Sequence, residues 1–69
     1  MQPIEVSING NTMLMPPATT IETALKTFGY QVEHAAVALN ETVVSRDEYA
    51  TQALQAGDRV EVLVPFAGG

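Results

Sequence analysis

Three features of the sequence predict an α+β fold, a mixed sheet of four to five strands with one helix packed across one face. Apolar and polar residues alternate near both ends, in Ile4-Val6-Ile8 and Val60-Val62-Val64, which is the period-two pattern of a half-buried strand. One stretch between them carries Ile21, Ala24, Leu25 and Phe28 at i, i+3, i+4 and i+7, a single helical stripe. The turn-forming pairs Asn9-Gly10, Asn40-Glu41 and Gly57-Asp58 separate the other apolar runs.

Taken in order, Ile4 to Ile8 forms the first strand, with Glu5, Ser7 and Asn9 on its polar side. Asn9-Gly10 tolerates the positive φ values of a tight hairpin, so Thr12 to Met15 returns as the second strand, with Met13 and Met15 on one face. Pro16-Pro17 stops it, because proline donates nothing to a ladder. A helix of about nine residues follows. Thr19 and Glu22 have capping-box spacing, and Gly29 sits where a C-terminal cap belongs. So short a helix has to pack on the sheet to exist; Ile21, Leu25 and Phe28 are its predicted core residues. Tyr30 to His34 connects to a third strand, Ala36 to Leu39, with Val37 and Leu39 inward. Asn40-Glu41 turns into a short fourth strand, Thr42 to Val44. Ser45 to Ala50 resembles one helical turn, with Ser45 and Glu48 again at capping-box spacing. Leu54 anchors the next loop. Arg59 to Val64 is the last strand, with Val60, Val62 and Val64 on one face and Arg59, Glu61 and Leu63 on the other. Strand, strand, helix, strand, strand, helical turn, strand is the plan of the β-grasp, or ubiquitin-like, fold. In that fold the first and last strands lie parallel and adjacent at the centre.

Sixty-nine residues make one domain. The domain is expected over residues 1–64, with residues 65–69 as a flexible Gly-Gly tail. The apolar fraction of 46% argues for a packed core. There is no cysteine, so neither a disulfide nor a thiol nucleophile is available. No apolar run approaches the ~18 residues of a membrane span, and the first residues lack the pattern of a signal peptide. The expected location is cytoplasmic, with no membrane partner. Eight acids against Lys26, Arg46 and Arg59 give a formal charge of −5. That charge repels phosphate backbones and excludes the ordinary nucleic-acid binder. It serves solubility, and it also steers toward basic partners.

The chain closes with Phe66-Ala67-Gly68-Gly69. Two residues without a Cβ make a thin arm able to thread a narrow channel, and the Gly69 carboxylate at its tip is a handle that another enzyme can activate. The plainer alternative is a frayed end or a cloning remnant. Gly68 serves by size in the first reading, since a side chain there would clash with a close-walled channel. Leu63 and Phe66, on or beside the open sheet face, suggest a docking patch; alternatively Phe66 folds over the edge of the core. Arg59 and Glu61 flank that face, either pairing with a partner or simply solvated. His34 has no second ligand in sight and is not a metal site. Arg46 and Asp47 are surface turn residues, and Lys26 lies on the polar side of the helix. The sequence has no P-loop glycine pattern, no Cys–His pair and no metal-ligand cluster. It therefore describes a substrate or carrier rather than a catalyst.

The segment Val37-Ala38-Leu39-Asn40-Glu41-Thr42-Val43-Val44-Ser45-Arg46, then Gly57-Asp58-Arg59-Val60-Glu61-Val62-Leu63, then Gly68-Gly69 resembles the ThiS family, the sulfur carrier proteins of thiamin biosynthesis. The resemblance covers the whole length and is densest from Val37 onward. Ser45 stands where that family often has proline, and Tyr49 where it often has tryptophan; both suit the same turn and the same aromatic plug. The resemblance implies that an E1-like adenylating enzyme with ATP adenylates the Gly69 carboxylate. A sulfur donor protein then supplies sulfur from a persulfide, and a thiazole synthase consumes the resulting thiocarboxylate. No cofactor is expected on the carrier itself; ATP belongs to the activating enzyme. Gly68, Ala67, Phe66, Leu63 and Arg59 are the implied partner-binding residues, and no metal is implied. The Pro65-Phe66-Ala67-Gly68-Gly69 ending also resembles the small subunit of molybdopterin synthase, a relative with the same fold and tail chemistry whose chains are somewhat longer. A ubiquitin-like protein modifier and a stand-alone binding module are the readings from other classes.

Overall fold

A computed structural model describes residues 2–64. It contains strands β1 (Ile4–Ile8) and β2 (Asn11–Met15), helix α1 (Ile21–Thr27), a 3-10 turn (Val32–His34), strands β3 (Ala36–Leu39) and β4 (Thr42–Val44), a second 3-10 turn (Arg46–Glu48) and strand β5 (Arg59–Leu63). The five strands form one mixed sheet in the order β2-β1-β5-β3-β4. β1 and β5 are parallel, with Ser7 opposite Arg59 and Ile8 opposite Val60; the other pairings are antiparallel. This is the β-grasp arrangement expected from the element order. Pro65, Phe66, Ala67, Gly68 and Gly69 lie outside the described residues, so the expected docking role of Phe66 and Ala67, the size argument for Gly68 and the tail itself lie outside them too.

The hairpin between β1 and β2 closes through Asn9 (φ 51°) and Gly10 (φ 86°), both left-handed as a type I′ turn requires. Strand alternation then sorts the side chains. Val6, Ile8, Met15, Val37, Val60 and Val62 face inward and share one core with Ile21, Ala24 and Leu25 of α1 and with Tyr49 and Leu54. Burying each of the larger aliphatic groups contributes on the order of 1.5–3 kcal/mol, which lets a seven-residue helix persist.

The structure corrects several local expectations. The helix N-cap is Thr20, not Thr19, and the Thr19/Glu22 capping box does not form. The Thr20 hydroxyl accepts from the Thr23 amide at 3.2 Å. The Thr19 hydroxyl instead donates to the Pro16 carbonyl at 2.6 Å, inside a turn in which Ala18 takes φ 67°. The free amides of Ile21 and Glu22 are met by the carbonyls of Gln52 and Tyr49 at 3.0 and 2.9 Å, so the first turn needs no reciprocal carboxylate. Glu22 instead lies 3.0 Å from Lys26. The helix is seven residues long, shorter than the expected nine. Phe28 falls after its last turn and is 38% exposed, so it is not a core residue. Gly29 (φ 83°) behaves as expected. Its amide reaches the Lys26 carbonyl, and the Tyr30 amide reaches that of Leu25, the paired bonds of a Schellman motif.

Ser45 makes no side-chain cap, so the second capping box is also absent. Tyr49 is the buried plug, its hydroxyl donating to the Ala35 carbonyl at 3.1 Å. Arg46 is more than a surface turn residue, because its guanidinium donates to the same carbonyl at 3.2 Å. β5 stops at Leu63, so Val64, expected to complete its inward face, lies past the strand and is exposed.

Candidate functional site: the open sheet face at the end of β5

The face of the sheet opposite α1 takes its shape from residue size. On β3 the outward residues are Ala36 and Ala38. Ala36 stands opposite Leu63 and Ala38 opposite Glu61 on β5, and Ala38 stands opposite Val43 on β4. The two methyl groups make a low floor. Leu63, 73% exposed, and Val43, 82% exposed, rise on either side of it. The result is a shallow groove of about 530 Å³ lined by these residues and Glu61. Exposed apolar side chains grouped around a groove are the usual mark of a protein-docking surface. Here one of them, Leu63, is the last residue of β5, six residues before the terminal Gly69 in the sequence.

Of the residues expected at the site, Leu63 is on this face and lines the groove. Arg59 shares the face but stands at the other end of β5, four residues or about 13 Å away. Its guanidinium lies 3.7 Å from Glu41, and with both groups largely exposed such a pair is worth little. Glu61 lies between them and lines the groove. Leu14, 69% exposed on β2, lies beyond β1 and opposite Glu5, away from the groove.

Sequence reasoning missed Val43, Ala36 and Ala38. The signal was present as a second alternation in β3, where small residues occupy every outward position. It also missed Asn9 beyond its part in the hairpin. The Asn9 side-chain oxygen accepts from the Val62 amide at 2.8 Å, and its nitrogen donates to the Val62 carbonyl at 3.3 Å and to the Tyr30 hydroxyl at 3.2 Å.

Among the described residues no group of three His, Cys, Asp or Glu side chains is placed to hold a metal ion. None of their helices is long and apolar enough to cross a membrane.

The family model described as ThiS matches residues 4–69. Among solved structures, the chain is similar to the thiamine biosynthesis protein (ThiS) from Geobacter metallireducens, with a TM-score of 0.77 and 26% identity over 96% of this chain and 100% of that one. No protein with a curated description matches the chain. With the family model running from the first strand through the final glycines, and a ubiquitin-like β-grasp fold shared along the full length of a solved member, the chain belongs to the ThiS family.

Proposed function

We propose that this protein is a sulfur carrier for thiazole formation in thiamin biosynthesis, acted on by enzymes rather than acting as one. The observation that carries the reading is the family match, which extends over Gly68-Gly69. The likeness to a thiamine biosynthesis protein supports the thiamin branch over the pterin one.

In this reading residues 1–64 are the folded carrier and residues 65–69 the reactive arm. A free carboxylate resists nucleophiles through its charge and resonance. An E1-like adenylating enzyme joins the Gly69 carboxylate to AMP from ATP, with pyrophosphate leaving. The terminal sulfur of a persulfide donor attacks the acyl carbon and AMP leaves. A thiol then opens the acyl disulfide, releasing the C-terminal thiocarboxylate that a thiazole synthase consumes. The carrier holds no cofactor of its own. Gly68 and Ala67 admit the arm to a narrow channel, while Phe66, Leu63 and Arg59 contact the partners, with Val43 and Ala38 extending the Leu63 patch across the groove.

Intact-mass measurement tests the chemistry. Incubation with the adenylating enzyme, ATP and a persulfide donor is expected to add the difference between sulfur and oxygen, and deletion of Gly69 is expected to abolish that gain and thiamin-independent growth. Continued growth without thiamin, in a strain carrying only the Gly69 deletion, overturns the reading; conjugates of higher mass would point to a modifier instead. Leu63→Asp is expected to leave the melting temperature within a few degrees of wild type, as surface changes usually do, and to weaken binding to the adenylating enzyme about tenfold or more.

A further inference from the structure

The parallel ladder between β1 and β5 is short. The Ser7 amide donates to the Asp58 carbonyl at 3.0 Å and the Asn9 amide to the Val60 carbonyl at 2.9 Å. After that β1 turns away into the hairpin. The next rung, at Val62, has no strand on this side to pair with. The Asn9 side chain fills that place. A primary amide has one carbonyl acceptor and an N–H donor, and here they face the Val62 N–H and C=O at 2.8 and 3.3 Å, as a peptide unit of a longer β1 would. The second N–H of the same amide reaches the Tyr30 hydroxyl. Tyr30 is itself held at the end of α1 through its amide bond to the Leu25 carbonyl at 2.9 Å. One side chain therefore ties the hairpin, the last strand and the end of the helix together.

The choice of residue is narrow. The backbone at Asn9 is left-handed, φ 51°, which favours Gly, Asn and Asp. Glycine lacks the amide, and aspartate would set a carboxylate oxygen against the Val62 carbonyl. Only asparagine meets the turn and both halves of the rung.

From Val62 the chain has seven residues to Gly69, a span of at most ~25 Å. We propose that Asn9 is a positioning residue for the carrier's reaction. By completing the Val62 rung it fixes the end of β5 that precedes residues 65–69, and so lowers the cost of holding that end in place when the adenylating enzyme takes up the Gly69 carboxylate. The inference rests on the carrier reading above. Such a cost falls on binding and not on the chemical step, so loss of the Asn9 rung raises KM and leaves kcat unchanged.

The test uses the full chain with Asn9→Gly, which keeps the turn and removes the amide, and Asn9→Asp, which keeps the turn and the acceptor. Amide exchange by NMR is expected to be about tenfold faster at Val62 in Asn9→Gly, with Val60 unchanged. Adenylation, followed as ATP–pyrophosphate exchange at a temperature where both variants are fully folded, is expected to show KM for the carrier raised about five- to tenfold in Asn9→Gly at constant kcat. A smaller rise is expected in Asn9→Asp. Wild-type exchange at Val62 in Asn9→Gly overturns the rung. Faster exchange with unchanged KM overturns the positioning role and leaves Asn9 a purely structural residue. A wild-type chain that is not adenylated overturns the carrier reading and the positioning role with it, an outcome recognisable because the unmutated protein fails too.

Discussion

The two hairpin turns, Asn9-Gly10 and Asn40-Glu41, both begin in the left-handed region and hold opposite ends of the last strand. Each begins with an asparagine at φ 51°, and each sends that side chain to β5, one from the β1 side and one from the β3 side. Asn40 takes hold where β5 begins. Its side-chain oxygen accepts from the Arg59 amide at 2.9 Å, its nitrogen donates to the Asp58 carboxylate at 3.0 Å, and its backbone amide donates to the Arg59 carbonyl at 2.8 Å. Asn9 takes hold near the other end of β5, at Val62. The contacts of Asn40 are exposed, while those of Asn9 to Val62 are partly buried. The second positions differ as well, with glycine relaxed at φ 86° in one turn and Glu41 held at φ 71° in the other. The same local turn chemistry thus anchors a central strand at both ends, and solvent decides how much each anchor is worth.

Four substitutions test how the two anchors rank. Asn9→Ala is expected to cost the most, about 2–3 kcal/mol in urea denaturation, from sheltered hydrogen bonds plus left-handed strain. Asn40→Ala carries the same left-handed strain and is expected to cost less, about 1–2 kcal/mol, because water replaces its exposed partners; a larger loss than Asn9→Ala would show that shelter does not rank the two anchors. Gly10→Ala should lose about 1 kcal/mol by thermal unfolding, through backbone strain alone, since a Cβ there meets nothing within 4 Å. Glu41→Gly runs the other way. Relief of strain at φ 71° exceeds the added chain entropy and the exposed ion pair to Arg59, for a gain of about 0.5 kcal/mol. A loss of stability in Glu41→Gly would mean that the Arg59 pair matters more than its exposure implies.

Much of the fold was legible because its signals are local and periodic. The alternation in β1 and β5, the helical stripe at Ile21, Ala24 and Leu25, and the Gly29 stop each depend on residues within one turn or one strand. The helix start was misplaced by one residue because two adjacent threonines offered the same hydroxyl, and only the folded turn at Pro16 shows which is already engaged. Phe28 kept helical spacing but fell beyond the last turn. At the site, Leu63 was legible as an outward residue of the final strand. The groove was not, because it needs β3 and β4 laid beside β5 in one register so that two alanines become a floor between taller neighbours. The Asn9 contact spans 53 positions in sequence, and no pattern in a hairpin tells which distant strand its side chain will meet.

The order of the elements and the side of each strand that faces the core could be read from the sequence, since periodicity and turn preference are properties of neighbouring residues. Only the tertiary structure decided which hydroxyl caps the helix, where β5 stops, which small residues hollow the open face, and which asparagine holds Val62. Each of these depends on residues that are distant in the chain and adjacent in space, where competition for one hydrogen-bond partner or one patch of surface has a single outcome.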